Sequence, residues 1–190
     1  YFTPEQGNEM TDAIAEALLR TVIANAPSVM NGSPDEKAMS EIMWAGSLSH
    51  NNLTGLGGLK DFAVHQLGHE LSAKTDIAHG ASLSAVWDSW AQYVMNADPA
   101  RFARYARSVW GVSDEDDLQA AQEGIQKTRA FFSSLGLPVC FSQADQIGIR
   151  TDEELESFAY GCSYQNTRTI GSFQKLGFED MKKIYAMANH

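Results

Sequence analysis

The amino-acid sequence predicts an all-α fold, with one multi-helical domain over residues 1–190. Three observations support this prediction. Apolar residues recur four apart, as at Ile14, Leu18 and Val22, which places them on one face of a helix. Helix-capping patterns recur along the chain. No segment shows the period-two alternation of a half-buried strand. The composition, 44% hydrophobic and 20% charged, is that of an ordinary globular protein.

The first two helices are predicted from their start signals. Thr3-Pro4-Glu5 places a capping hydroxyl before a proline, and Ser33-Pro34-Asp35-Glu36 repeats the pattern. The first helix is expected to end before Pro27, because the residue before a proline disfavours helical backbone. The inward side of the second helix is expected to carry Met39, Ile42, Met43 and Gly46.

The middle of the chain contains a glycine-rich break, "LTGLGGLK", followed by a helix from Lys60 to about Lys74. Phe62, Leu67 and Leu71 are the candidates for its core side. His79-Gly80 interrupts the pattern, and "ASLSAVWDSWAQYVM" resumes it as an aromatic-rich helix.

The remaining helices also begin and end at recognisable residues. Asp98-Pro99 starts a helix that ends at Gly111, and Ser113 with Asp116 forms a capping box for a long helix closing on Gly136. Thr151 caps a helix with three acids in its first turn, and "FEDMKKIYAMAN" forms the last one. These signals predict seven or eight helices packed as an orthogonal or bundle-like array.

Charge and cysteine content exclude several classes of partner. The formal net charge is −10 and the pI is near 4.8, so nucleic acid and anionic membranes are poor partners. Cys140 and Cys162 are too few and too scattered for a disulfide framework, which favours a reducing compartment. No apolar run approaches the ~18 residues of a membrane span. A soluble, cytoplasmic protein is therefore expected.

Three of the five histidines fall in one short stretch, "DFAVHQLGHELSAKTDIAHG". His65 and His69 stand four residues apart and share one helix face, one turn after Asp61. His79 follows a break in the pattern and can fold back toward them. Imidazole suits iron, zinc or copper, so a metal site is one interpretation. The other is a polar helix face whose rings are merely hydrogen-bonded.

Two motif-based functions are excluded by spacing. A zinc peptidase needs H-E-x-x-H, whereas Gln66 follows His65 and Glu70 follows the second histidine. A dinucleotide-binding loop joins a strand to a helix, whereas "LTGLGGLK" follows a helix. A helix-to-helix turn is the better interpretation of those glycines.

The chain resembles the iron-containing (group III) alcohol dehydrogenases, especially their NAD(P)H-dependent butanol dehydrogenase branch, over essentially its whole length. The resemblance is carried by "YFTPEQ", "EIMWAGSLSHNNLTGLG", "HQLGHELSAKTDIAHGASL", "ARFARYARSVWGV", "FFSSLGLP" and "GSFQKLGFEDMKKIYAMA". In that family a histidine and a second one fourteen positions later, followed by a small residue, bind the metal. The resemblance implies that His65 and His79, before Gly80, are metal ligands for Fe²⁺ or Zn²⁺. It also implies that His69 lies beside the metal with a proton-relay or positioning role.

The resemblance implies a larger enzyme as well. Family members join an N-terminal nucleotide-binding domain, absent from this chain, to an all-helical metal and substrate domain, which residues 1–190 resemble. Two further ligands, an aspartate and a histidine, would precede the stretch resembling "YFTPEQ". The implied reaction interconverts short-chain aldehydes and primary alcohols such as butanol with NAD(P)H. The fragment alone is expected to be inactive, and a homodimer is compatible with the family.

Two other classes of function remain open. One is a self-contained helical metalloprotein with a hydrolytic or oxygen-activating site, in which Asp61, Glu70 or Asp76 supplies carboxylate ligands. The other is a helical interaction domain whose histidines are structural. Neither accounts for the resemblance along the full length of the chain.

Overall fold

The computed structural model describes residues 1–3, 8–31 and 35–190, and it confirms the all-α prediction. Eight α-helices lie in this part of the chain, and its only β-type pairing is an isolated bridge between Ile170 and Leu176. The helices are α1 (Glu9–Val29), α2 (Glu36–His50), α3 (Ala63–Thr75), α4 (His79–Val94), α5 (Pro99–Trp110), α6 (Asp117–Ser134), α7 (Asp152–Cys162) and α8 (Phe178–Ala188). Short 3-10 turns cover Leu53–Gly55, Met95–Ala97 and Phe141–Gln143.

The chain divides into two compact units. The first unit comprises Tyr1–Lys60 and Asp98–Lys127. In it α1 packs against α2 and α5. A buried ion pair joins α1 to α5, with the Arg101 guanidinium donating to both carboxylate oxygens of Asp12 at 2.6 and 2.7 Å. Such two-point pairing fixes relative orientation as well as distance.

The second unit comprises Asp61–Ala97 and Thr128–His190, and it contains all three histidines of the candidate site. Here α3 packs against α4 and α7, while α8 packs against α4 and α7. The core side chains buried to less than 2% exposure in this unit include Leu67, Leu71, Val86, Phe141, Leu176, Met181, Ile184 and Tyr185.

Most of the predicted helix boundaries are confirmed. Asp98 caps α5 by accepting from the Arg101 amide, and Gly111 ends that helix with a left-handed backbone (φ +68°). Thr151 and Glu154 form a reciprocal capping box at α7. Gly136 has φ +74° just after α6, as expected of a residue that ends a helix.

Several details of the prediction are wrong. The first helix continues through Pro27 to Val29. The long helix α6 begins one turn later than expected, since the Asp116 carboxylate, rather than Ser113, accepts from the Gln119 amide. Met43 is 67% exposed and Phe62 is 49% exposed, so neither belongs to the core.

Some predictions lie outside the described residues. These are the Pro4 and Glu5 part of the first start signal and the Ser33-Pro34 part of the second. The described chain places the start of α1 at Glu9 with Asn8 as cap, and the start of α2 at Glu36 with Asp35 as cap. No helix in the described residues is both long and apolar enough to span a membrane.

Candidate metal and substrate site

Three imidazole rings meet where α3 packs against α4. The ring centroids of His65 and His69 lie 6.1 Å apart. The His79 ring, at the first residue of α4, lies 5.4 Å from that of His65 and 5.0 Å from that of His69. His65 is half-buried, whereas His69 and His79 are exposed. The expectation that His79 folds back toward the other two is thus met, and the cluster faces solvent.

The connection between the two helices is short and sharply turned. Asp76 ends α3 with a left-handed backbone (φ +57°), and its amide donates to the Ser72 carbonyl. Ile77 is buried, which anchors the turn before α4 begins at His79. This three-residue link returns the chain to α3, and the first turn of α4 contacts the middle of α3 at Gly68 and Ser72.

Gly68 permits the close approach of the two helices. A Cβ atom at this position would lie 2.7 Å from Leu83 Cδ2 and 2.9 Å from Ser82 Oγ, closer than side-chain packing allows. A Cβ here would force the side chains of Leu83 and Ser82 to move, and this glycine lies between His65 and His69 in the sequence.

Two serines fix the first turn of α4 against α3. The Ser72 hydroxyl on α3 donates to Ser82 Oγ at 3.0 Å, and the Ser82 hydroxyl donates to the His79 carbonyl at 2.8 Å. Ser82 is fully buried, so its satisfied hydrogen bonds matter more than those of a surface hydroxyl. This chain of bonds ties the backbone of His79 to the helix that carries the other two rings.

The start of α3 is held by Asp61. One oxygen of its carboxylate accepts from the Ala63 amide at 2.7 Å, and the other accepts from the amides of Ser172 and Phe173. The middle of α3 is held by Tyr185 of α8, whose buried hydroxyl donates to the Leu67 carbonyl at 2.9 Å. Burial raises the pKa of the Tyr185 phenol well above its ordinary value, so this group stays a donor.

Two of the three nearby carboxylates, those of Asp61 and Glu70, are engaged away from the histidines. Asp61 caps α3 as described, and Glu70 pairs with Lys74 at 3.3 Å while its carboxylate lies over Gly161 of α7. Asp76 occupies the exposed turn after α3. Throughout residues 1–3, 8–31 and 35–190, no group of three His, Cys, Asp or Glu side chains is arranged to hold a metal ion. These observations disfavour a self-contained metal site built on local carboxylates.

The helix that the sequence predicts to resume at Ala81 begins two residues earlier, so Gly80 is the second residue of α4. No described atom lies within 4 Å of the point that a Cβ would occupy, so the protein itself does not require glycine here. The space at the Gly80 Cβ position is therefore open.

The residues that assemble the cluster carried little signal in the sequence. Gly68, Ser72 and Ser82 stand inside helical patterns without punctuating them. The one available signal was that both α3 and α4 carry small residues, Gly68 and Ser72 on the first and Ser82 on the second, where two helices can pack closely. Using that signal requires knowing which helices pack.

A helical domain with three clustered imidazoles is compatible with more than one class of protein, and comparison with known proteins specifies the family. The model of the "Fe-containing alcohol dehydrogenase family, C-terminal" matches residues 1–189. This chain belongs to that family. NADH-dependent butanol dehydrogenase A of Clostridium acetobutylicum is 37% identical over 187 residues, which cover 97% of this chain and 47% of that protein.

Solved structures give the same result for the fold. NADH-dependent butanol dehydrogenase A from Thermotoga maritima superimposes with a TM-score of 0.90 at 25% identity, covering 100% of this chain and 48% of that one. The cofactor-free aldehyde reductase YqhD from E. coli also has a TM-score of 0.90 at 25% identity, covering 99% and 48%. The chain thus spans about half the length of the relatives it matches.

Proposed function

We propose that this chain is the metal- and substrate-binding part of an NAD(P)H-dependent alcohol dehydrogenase that interconverts short-chain aldehydes and primary alcohols such as butanol. The observation that carries the proposal is the convergence of His65, His69 and His79, with ring centroids 5.0–6.1 Å apart, in a chain of this family. Relatives of the chain are named as butanol dehydrogenases and as an aldehyde reductase.

His65 and His79 are the proposed metal ligands. Their rings lie 5.4 Å apart on two helices that Gly68, Ser72 and Ser82 hold together. A neutral imidazole nitrogen is a suitable donor for Fe²⁺ or Zn²⁺, so these side chains fit such an ion as part of its ligand set. When bound, the ion supplies Lewis acidity to a carbonyl oxygen, and the nicotinamide supplies or accepts a hydride.

His69 is the proposed proton-handling group. Its ring lies 5.0 Å from that of His79 and 6.1 Å from that of His65, and it is exposed. An imidazole in this position can give a proton to the oxygen of the product alcohol or take one from the alcohol substrate. His69 is part of α3, and hydrogen bonds at Asp61 and Leu67 anchor this helix. The backbone that carries the His69 ring is therefore held in place beside the two proposed ligands.

The rest of the enzyme is proposed to lie outside this chain. The relatives are about twice as long, and the described residues contain no strand-to-helix nucleotide loop. We assign NAD(P)H binding and the remaining metal ligands to the other half of the full-length protein. Assembly as a homodimer and location in the cytoplasm are part of the same proposal.

The decisive experiment uses the full-length protein that carries this chain. It is loaded with Fe²⁺ or Zn²⁺ and assayed with butyraldehyde and either NADH or NADPH, because relatives are named for each nucleotide. The variants His65→Ala and His79→Ala are expected to lose metal and more than about 100-fold in kcat. His69→Ala should keep its metal and lose about 100-fold or more in kcat.

His50→Ala is the matched control, because His50 is exposed on α2 in the other compact unit. It should retain both metal and activity. Absence of nucleotide oxidation by the metal-loaded wild type, with any tested aldehyde, would refute the proposed reaction. Unchanged metal content in both His65→Ala and His79→Ala would refute the ligand assignment.

A further inference from the structure

Phe62 extends the row of histidines along α3. Positions 62, 65 and 69 follow each other at three- and four-residue spacing, so their side chains lie on one helix face. The Phe62 ring packs edge to face on the His65 ring, with centroids 5.4 Å apart and an interplanar angle of 76°. His65 therefore lies between an aromatic ring on one side and the imidazole of His69 on the other.

The Phe62 side chain is not part of the hydrophobic core. Its side chain is 49% exposed, whereas its neighbour Ala63 is completely buried. Its backbone position is fixed from both sides, because Asp61 is bonded to three amides and the Phe62 carbonyl accepts from the Gln66 amide at 2.9 Å. A large apolar ring is thus held in solvent at the edge of a polar cluster.

We propose that Phe62 is a specificity-determining residue that forms the apolar wall for the carbon chain of the substrate. This inference rests on the proposed function, which places the reacting carbonyl at the three imidazoles. From there a straight chain of a few carbons running past His65 reaches the Phe62 ring. Contact with the ring removes apolar surface of both partners from water, which favours binding of longer aliphatic chains.

The same arrangement selects against polyhydroxylated aldehydes. A hydroxyl group on any carbon that contacts the phenyl ring would lose hydrogen bonds to water without replacement. The substrate class that fits the Phe62 surface is therefore the unbranched aliphatic aldehydes and alcohols rather than sugar-derived ones.

The test is a chain-length series in the metal-loaded, full-length protein. We compare kcat/KM for straight-chain aldehydes of two to eight carbons between the wild type, Phe62→Leu and Phe62→Ala. Each methylene that contacts the ring should raise kcat/KM about fourfold in the wild type. Phe62→Ala should flatten this rise while leaving the two-carbon substrate nearly unchanged, and Phe62→Leu should give an intermediate slope.

Binding supplies a second readout that does not depend on turnover. Calorimetric dissociation constants of the corresponding primary alcohols should show the same loss of chain-length dependence in Phe62→Ala. Tyr160→Ala is the matched control, because Tyr160 on α7 is also 49% exposed. Its chain-length profile should equal that of the wild type.

The outcomes separate this inference from the proposed function. A wild type that reduces no aldehyde refutes the proposed function. A wild type that reduces aldehydes, with identical chain-length slopes in the wild type, Phe62→Leu and Phe62→Ala, overturns the role of Phe62 alone. Equal loss of activity for all chain lengths also overturns it, because a merely structural residue would affect every substrate alike.

Discussion

Gly68 of α3 lies directly against Leu83 of α4, so that a Cβ on Gly68 would be 2.7 Å from Leu83 Cδ2. This contact joins α3 to α4 beside the histidine cluster. Gly68 lies three residues after His65 and one residue before His69, so this contact stands next to the two rings that lie 5.4 and 5.0 Å from that of His79.

Replacing this glycine should destabilise the contact between α3 and α4. Gly68→Val is expected to lower the free energy of unfolding by about 1–3 kcal/mol, because the added carbons overpack a filled contact. Gly80→Val is the matched control: no described atom approaches its Cβ position, and valine is a better helix former than glycine. Urea unfolding of both variants provides the comparison. Equal stability of the two would contradict the packing role of Gly68.

Removing one partner of the buried ion pair between Asp12 and Arg101 should strongly destabilise the first unit. Both side chains are at most 8% exposed, and the pair makes two hydrogen bonds of 2.6 and 2.7 Å. Asp12→Ala leaves a buried guanidinium without its carboxylate, which costs about 3–5 kcal/mol. Glu123→Ala removes the exposed pair with Lys127 and should cost less than about 0.5 kcal/mol. Denaturant midpoints of the two variants test this difference.

The same pair should make stability depend on pH in the acid range. Hydrogen bonds from Arg101 hold the pKa of the Asp12 carboxyl below its ordinary value of 3.8. Because the pKa in the folded state is depressed, the stabilisation is present above that ordinary value and is lost as pH falls through the folded-state pKa. The urea midpoint of the wild type should fall more steeply below about pH 4 than that of Asp12→Asn. Parallel curves would contradict this assignment.

The sequence predicts elements better than contacts. The boundaries at Asp98, Gly111 and Thr151 are correct because each depends on local backbone and capping chemistry that neighbouring residues determine. The spacing of His65 and His69 likewise indicates one helix face. The return of His79 depends instead on contacts between residues that are far apart in the sequence. Gly68 packs against Leu83, and Ser82 is bonded to Ser72, ten residues before it, as well as to the His79 carbonyl.

Two of the errors, at Met43 and Phe62, have a common cause. Helical periodicity identifies which residues share a face but not which face the rest of the chain covers. Met43 and Phe62 follow the apolar pattern, yet the buried residues of α2 are Ala38 and Ala45, and α3 turns Phe62 toward solvent. Pro27 fits inside α1 because a proline within a helix bends it or removes one hydrogen bond without always ending it.

Cys162 should be unreactive in the folded protein. It is 1% exposed, and burial raises the pKa of its thiol to about 11. At pH 8 the thiolate fraction is then about 100-fold or more below that of a free cysteine, and access is blocked as well. In a Cys140→Ser background, which leaves one thiol, the reaction with an aromatic disulfide reagent should be slow until denaturant is added. Fast labelling of the folded protein would contradict the burial of this residue.

Metal binding by this chain alone should be weak. Two imidazoles are fewer ligands than a stable tetrahedral or five-coordinate site provides, and Asp61 and Glu70 are engaged elsewhere. An anaerobic calorimetric titration with Fe²⁺, repeated with Zn²⁺, should therefore give weak or undetectable heats, whereas the full-length protein should bind one ion tightly. His65→Ala and His79→Ala should each abolish the tight binding in the full-length protein.

The opposite result would change the interpretation of the site. Tight one-to-one binding by the isolated chain would require a third ligand within these residues, and His69 is the only one of the three clustered rings not already assigned to the metal. His69→Ala would then weaken metal binding as strongly as His65→Ala does. Because a proton-handling residue should leave the affinity nearly unchanged, comparing the two variants in one titration decides between a ligand and a proton-transfer role for His69.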